Sequence, residues 1–167
     1  RFAVRIFTLW SPMEALMPRA PTHDAVDFNA LWSLGEALMA LGPVLEDAQV
    51  DALAEARGVP RSHAWMALSF APSVQVKRTS GVAIAVCAAR CQLWGAASLI
   101  DGLLTLRDQR IAAERLSFDL VPRGCLNRCS QAPVATGLLP DGMVGFANAT
   151  PAQVEELLAA VEADAAE

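Results

Sequence analysis

Four cysteines stand in two close pairs. Cys87 and Cys91 enclose Ala88, Ala89 and Arg90, and Cys125 and Cys129 enclose Leu126, Asn127 and Arg128, so each pair has C-x3-C spacing. Each pair follows a predicted strand, the place where α/β sheets build small-ligand sites. Four thiolates can hold a [2Fe–2S] cluster, with two sulfurs on each iron. The spacing leaves other chemistry open. Tetrahedral zinc also takes four cysteines, although its usual signature is the C-x2-C knuckle. Buried free thiols are common in small apolar cores, and disulfides form in oxidising compartments. Thiol redox catalysis normally uses C-x-x-C, which the chain lacks.

A cluster and its thiolates carry net negative charge, so such a site needs donors and cations. Arg90, Arg123 and Arg128 lie in or beside the cysteine loops, and Gly124 is expected to let the backbone approach the sulfurs. Amides and cations so placed raise a reduction potential. Other chemistry is sparse. His23 and His63 are far apart, and a lone His reads as a hydrogen-bonded residue rather than a ligand. There is no Gly-rich phosphate loop for NAD or flavin, no Ser–His–Asp set and no paired-carboxylate site. Asp119, on a predicted strand, reads as part of a solvated face.

The elements that must position the cysteines follow from periodicity. Residues 28–41 read as a helix with Leu31, Leu34, Leu38 and Leu41 on one face, stopped by Gly42 and Pro43. A second helix spans 47–57 and ends at Gly58. A third begins near Pro60, carries Trp65, Met66, Leu68 and Phe70 as core, and breaks at Pro72. These three make a small bundle. The apolar run 82–86 suits a strand buried on both faces, and 93–107 reads as an amphipathic helix. Residues 116–122 alternate as a strand does. Residues 134–138 and 143–147 flank Pro140, Asp141 and Gly142 as a hairpin. Thr150 and Gln153 form a capping box, with Pro151 opening a last helix.

The predicted fold class is α/β, in the order arm (1–27), helical bundle (28–76) and a mixed four-stranded sheet with helices on its faces (77–167). The arm carries Trp10, Met13, Leu16 and Met17. Its first twenty residues contain Arg and few acids, faintly like a transit peptide, and read more simply as a docking arm.

With 167 residues, a net charge of −5 and a pI near 5.0, the chain suits one domain with an appendage. Lys77 is the only lysine and the arginines are scattered, which argues against nucleic acid as a partner. No run of about 18 apolar residues suggests a membrane span. The expected location is cytoplasmic.

The sequence around the cysteines resembles the thioredoxin-like [2Fe–2S] ferredoxins. Val86 and Cys87 with Cys91, Gln92, Leu93, Trp94 and Gly95 resemble the first ligand region of that family. Cys125 to Cys129, continued by Ser130, Gln131, Ala132, Pro133 and Val134, resembles the second, where members read Cys-x-x-x-Cys, two residues, then Ala-Pro. Ala67, Leu68, Ser69 and Phe70 sit where members have an Ala-Ser-Phe-Tyr-like stretch. The likeness runs over roughly 28–161, with two departures. The first spacing is C-x3-C where C-x4-C is usual, and Ala71 stands where a Tyr is expected.

The resemblance implies a thioredoxin-like ferredoxin domain behind a helical bundle. It implies one [2Fe–2S] cluster on Cys87, Cys91, Cys125 and Cys129, and no substrate site in this chain. It implies an electron-transfer role beside a flavin- and NAD-binding subunit. In such systems the complex is a soluble NAD-dependent formate dehydrogenase with a molybdenum or tungsten subunit, the NADH:quinone oxidoreductase complex I, or an NAD-linked hydrogenase. The reading leans to the formate dehydrogenase, on Cys91, Gln92 and Gly95. A zinc-stabilised structural module and a thiol redox enzyme are the rival classes.

Overall fold

The structure is a computed structural model that describes residues 20–165. Trp10, Met13, Leu16 and Met17 of the predicted arm lie outside them. Helix α1 (Phe28–Leu41) buries Leu31, Leu34 and Leu38, a 3–4 spacing that keeps one stripe inward. The Asp27 carboxylate caps it by accepting from the Asn29 N–H at 3.0 Å. Helix α2 (Asp47–Arg57) opens on a reciprocal Glu46/Gln49 box and closes on Gly58, whose φ of 62° is the left-handed cap position. The third helix, α3 (Arg61–Ala67), is shorter than its apolar pattern suggests and tightens into a 3-10 turn (Leu68–Phe70).

Polar side chains lock these helices to one another. Asp51 on α2 accepts from the Arg61 Nε and Nη2 at 3.1 and 2.6 Å, and from the indole N–H of fully buried Trp65 at 2.8 Å. Two very short strands, β1 (Val44–Leu45) and β2 (Gln75–Val76), pair in parallel beside them, a ladder the sequence pattern does not signal.

The main sheet has four strands: β3 (Ala83–Cys87), β4 (Asp119–Arg123), β5 (Ala135–Leu139) and β6 (Gly142–Phe146), in the order β4-β3-β5-β6. β3 and β4 are parallel, and β5 runs antiparallel to β3 and β6 to β5. Every residue of β3 is buried, as a central strand covered on both faces should be. Helix α4 (Ala96–Ala112) carries the chain from β3 to β4; it starts later than the expected 93–107 because residues 90–94 form a 3-10 turn, and it runs on to Ala112. Helix α5 (Pro151–Ala165) follows β6. The Thr150/Gln153 box caps it, with the Thr150 N–H donating to Gln153 Oε1 at 2.9 Å. One apolar core runs from Leu31 through Trp65, Ile84 and Leu103 to Leu158.

One expectation is overturned. Asp119 does not face solvent: it is 9 % exposed, and its carboxylate accepts the Thr79 and Ser80 N–H groups at 3.0 and 3.1 Å. It fastens the segment entering β3 to the first residue of β4, so burial is offset by hydrogen bonds. Among the described residues, no helix is long and apolar enough to cross a membrane.

Candidate metal centre

Parallel pairing decides where the cysteines meet. The register runs from Ala83 beside Asp119 to Cys87 beside Arg123, so both strands end at the same edge of the sheet. Cys87 is the last residue of β3, one position further into the strand than the sequence pattern places it. Its N–H donates to the Val134 carbonyl at 3.1 Å, and the Ala88 N–H donates to the Arg123 carbonyl at 2.7 Å. The ladder is therefore held on both sides of the first cysteine.

Cys87 and Cys91 are buried, with Ala96, Ala132 and Val134 around them and Leu126 and Trp94 at the margin. Cys91 lies in the 3-10 turn Arg90–Trp94, so the turn brings its sulfur back toward the strand end. The Cys91 thiol donates a hydrogen bond to the Cys87 sulfur. Together with the backbone N–H groups of Leu126, Ala89 and Cys91, this pulls the Cys87 thiol well below its ordinary value against the opposing effect of burial. The same bond holds the Cys91 proton in place, and burial and the Cys87 charge push that thiol the same way, upward. The Val134 N–H opposes the rise, and Cys129 stands near enough for its charge to add to it.

Cys125 and Cys129 belong to the loop after β4. Cys125 is exposed and Cys129 half-buried. Asn127 sits between them at φ 56°, a left-handed conformation that Asn tolerates better than most residues. That turn aims the Asn127 N–H at the Cys125 sulfur, 3.3 Å away. The loop is anchored from behind, since the Asn148 and Ala149 N–H groups donate to the Gln131 and Pro133 carbonyls at 2.8 and 2.7 Å. The two loops meet where the Cys87 sulfur lies 3.9 Å from the Gly124 carbonyl and Leu126 packs against the group around Cys87 and Cys91.

The neighbouring residues behave in mixed fashion. Gly124 presents its carbonyl, not its N–H, toward the Cys87 sulfur at 3.9 Å, and a Cβ on it would meet nothing within 4 Å. Close approach is not why a glycine stands there. Arg90, Arg123 and Arg128 are exposed, and the Arg128 guanidinium lies over Gly145 of β6, where a Cβ would come 2.5 Å from Nη1. His63 is half-buried on α3, and His23 packs over Gly95. The donors on sulfur from Leu126, Ala89 and Val134 escape sequence reading, because a backbone N–H leaves no trace in residue type.

Among the described residues, no three His, Cys, Asp or Glu side chains converge as ligands of a single ion. Comparison with known protein families finds no match, and comparison with curated proteins finds none either.

Proposed function

We propose that the chain carries one [2Fe–2S] cluster on Cys87, Cys91, Cys125 and Cys129 and relays single electrons beside a flavin- and NAD-binding subunit. The observation that carries this reading is the parallel register that sets Cys87 beside Arg123, with the Cys87 sulfur 3.9 Å from the Gly124 carbonyl, which brings the second cysteine loop against the first. A binuclear core takes two sulfurs at each end and does not need four at one point. The surroundings suit the group chemically: soft thiols, N–H donors aimed at sulfur, and an apolar wall on one side. The sheet order β4-β3-β5-β6, one parallel and two antiparallel pairings, supports a thioredoxin-like assignment for the segment 77–167.

Bound there, the cluster supplies a one-electron couple. The chain's own residues set its conditions. Cys87, Cys91, Ala132 and Val134 exclude water from the inner side. The amides of Ala89, Leu126 and Val134 stabilise negative charge on sulfur. Arg90, Arg123 and Arg128 add positive charge in loops that contain no Asp or Glu. The exposed Cys125 side is where a partner's redox centre would approach. We assign the partner to a soluble NAD-dependent formate dehydrogenase, with its molybdenum or tungsten subunit beyond. Complex I and NAD-linked hydrogenases are the alternatives of the same class. A cytoplasmic setting, where thiols stay reduced, belongs to this proposal.

Electron paramagnetic resonance on dithionite-reduced protein, with metal analysis of the same sample, tests it. A rhombic signal with an average g below the free-electron value, and about two irons per chain, is the expected result. A silent sample holding about one zinc per chain refutes electron transfer and leaves a structural module.

A further inference from the structure

Residues 22–26 lie outside the sheet domain, yet they bind the first cysteine loop. The Thr22 and His23 N–H groups both donate to the Leu93 carbonyl, at 2.9 and 3.2 Å. The Val26 N–H donates to the Gln92 side-chain Oε1 at 3.0 Å. The other end of that amide, Nε2, donates to the Ala88 carbonyl at 2.9 Å. Ala88 follows Cys87 and Gln92 follows Cys91, so one side chain spans the loop between two sulfurs and ties it to residue 26. The His23 imidazole lies over Gly95, where a Cβ would stand 3.1 Å from Cε1. Gly95, at φ 89°, returns its own N–H to the Cys91 and Gln92 carbonyls.

We infer that residues 22–26 form a strap that holds the first ligand loop closed, with Gln92 as its positioning residue. This rests on the cluster reading above. Cys91 cannot swing away from Cys87 unless the 3-10 turn Arg90–Trp94 opens. That opening must break the Gln92 bridge and the two bonds to the Leu93 carbonyl along with the turn's own bonds. Local opening, rather than global unfolding, governs how readily a loop lets go of what it holds. The strap therefore sets the rate of iron loss more than the overall stability of the fold. Val26 also packs on the main core, so the strap's far end is fixed. Two other side chains of the strap, Thr22 and His23, bond to each other at 2.9 Å.

The test uses the whole chain and two variants, Gln92→Leu, which removes both amide bonds at similar volume, and Thr22→Pro, which removes one backbone donor from the exposed strap. In iron-loaded protein, iron release to excess bathophenanthroline should be about tenfold faster in Gln92→Leu and a few-fold faster in Thr22→Pro, since each lost bond is a modest net contribution. Global urea midpoints should stay close to wild type. Gln92→Glu keeps the acceptor for Val26 and should fall between. In metal-free protein, hydrogen exchange should show the Thr22, His23 and Val26 amides protected, and Gln92→Leu should release Val26 and the loop 88–92 together. Wild-type release rates in both variants, or unprotected strap amides, overturn the strap. A wild-type chain that takes up no iron refutes the cluster reading instead, and the exchange experiment still decides the strap.

Discussion

Replacing Leu126 by proline removes one N–H from the Cys87 sulfur, and the consequence can be worked out. A hydrogen bond to a charged group contributes about 1.5–3 kcal/mol. One pH unit corresponds to about 1.4 kcal/mol of preference between the two protonation states. The Cys91 thiol chiefly, with the Leu126, Ala89 and Cys91 amides, holds the Cys87 thiol below its ordinary value. In metal-free Leu126→Pro, its midpoint should therefore move upward by about one to two pH units. The assay is the pH dependence of iodoacetamide alkylation, read at Cys87 by peptide mass spectrometry. Leu126→Ala is the control, because it removes the side chain from the apolar group around Cys87 and Val134 but keeps the N–H. Its midpoint should stay near wild type. If the two variants alkylate with the same midpoint, the second loop does not bond to the first cysteine, and the joined site fails as a description. In iron-loaded protein the same proline should lower the potential, because the lost donor favoured the more negative reduced state.

Cys129→Ala should abolish the bound iron while leaving the fold intact, since Cys129 is half-buried at a loop and not in the core; full iron content by metal analysis would refute its role as ligand. Asp119→Ala strands the Thr79 and Ser80 N–H groups in a covered position, and should cost about 3 kcal/mol in urea denaturation, against almost nothing for a truly solvated strand residue. Arg115 chiefly, with Arg110 and the Leu116 N–H, holds Glu162 down to about 2 from an ordinary 4.5. A depressed acid stabilises above its unfolded value and loses that contribution as pH falls through its folded one. Wild type should thus lose stability between pH 4.5 and about 2 more steeply than Glu162→Gln, measured by urea midpoints at several pH values.

Much of this architecture is legible in residue type because hydrophobic period and turn chemistry act locally. The leucines of α1, the Gly58 cap, the box at Thr150 and the Pro140–Asp141 turn each follow from a few adjacent residues. The misreadings come from non-local partners. Alternation around Asp119 puts Phe118 and Leu120 on one face, and a carboxylate between them looks wet. Its burial depends on the segment 79–80 lying across it, which the sequence of β4 cannot signal. β1 and β2 pair over two residues each, too short for any period. The strap over Gln92 is invisible for the same reason: its bonds come from backbone groups that every residue carries.

The candidate site itself was half legible, and the missing half is topology. Two cysteine pairs, each after a strand, mean nothing until strand direction is known. Antiparallel neighbours joined by a hairpin would leave the residues after the two strands at opposite ends of the sheet. β3 and β4 are instead parallel, so α4 must carry the chain back along the sheet before β4 begins, and Cys87 comes to lie beside Arg123 just ahead of Cys125. β5, antiparallel to β3, begins at that same edge, with Ala135 opposite Val86. That is why the residue before it, Val134, can both accept the Cys87 N–H and donate its own to the Cys91 sulfur. Three strand ends thus converge on one edge, two supplying sulfur and the third supplying a donor. A change in strand direction would separate the cysteines without altering a single residue near them.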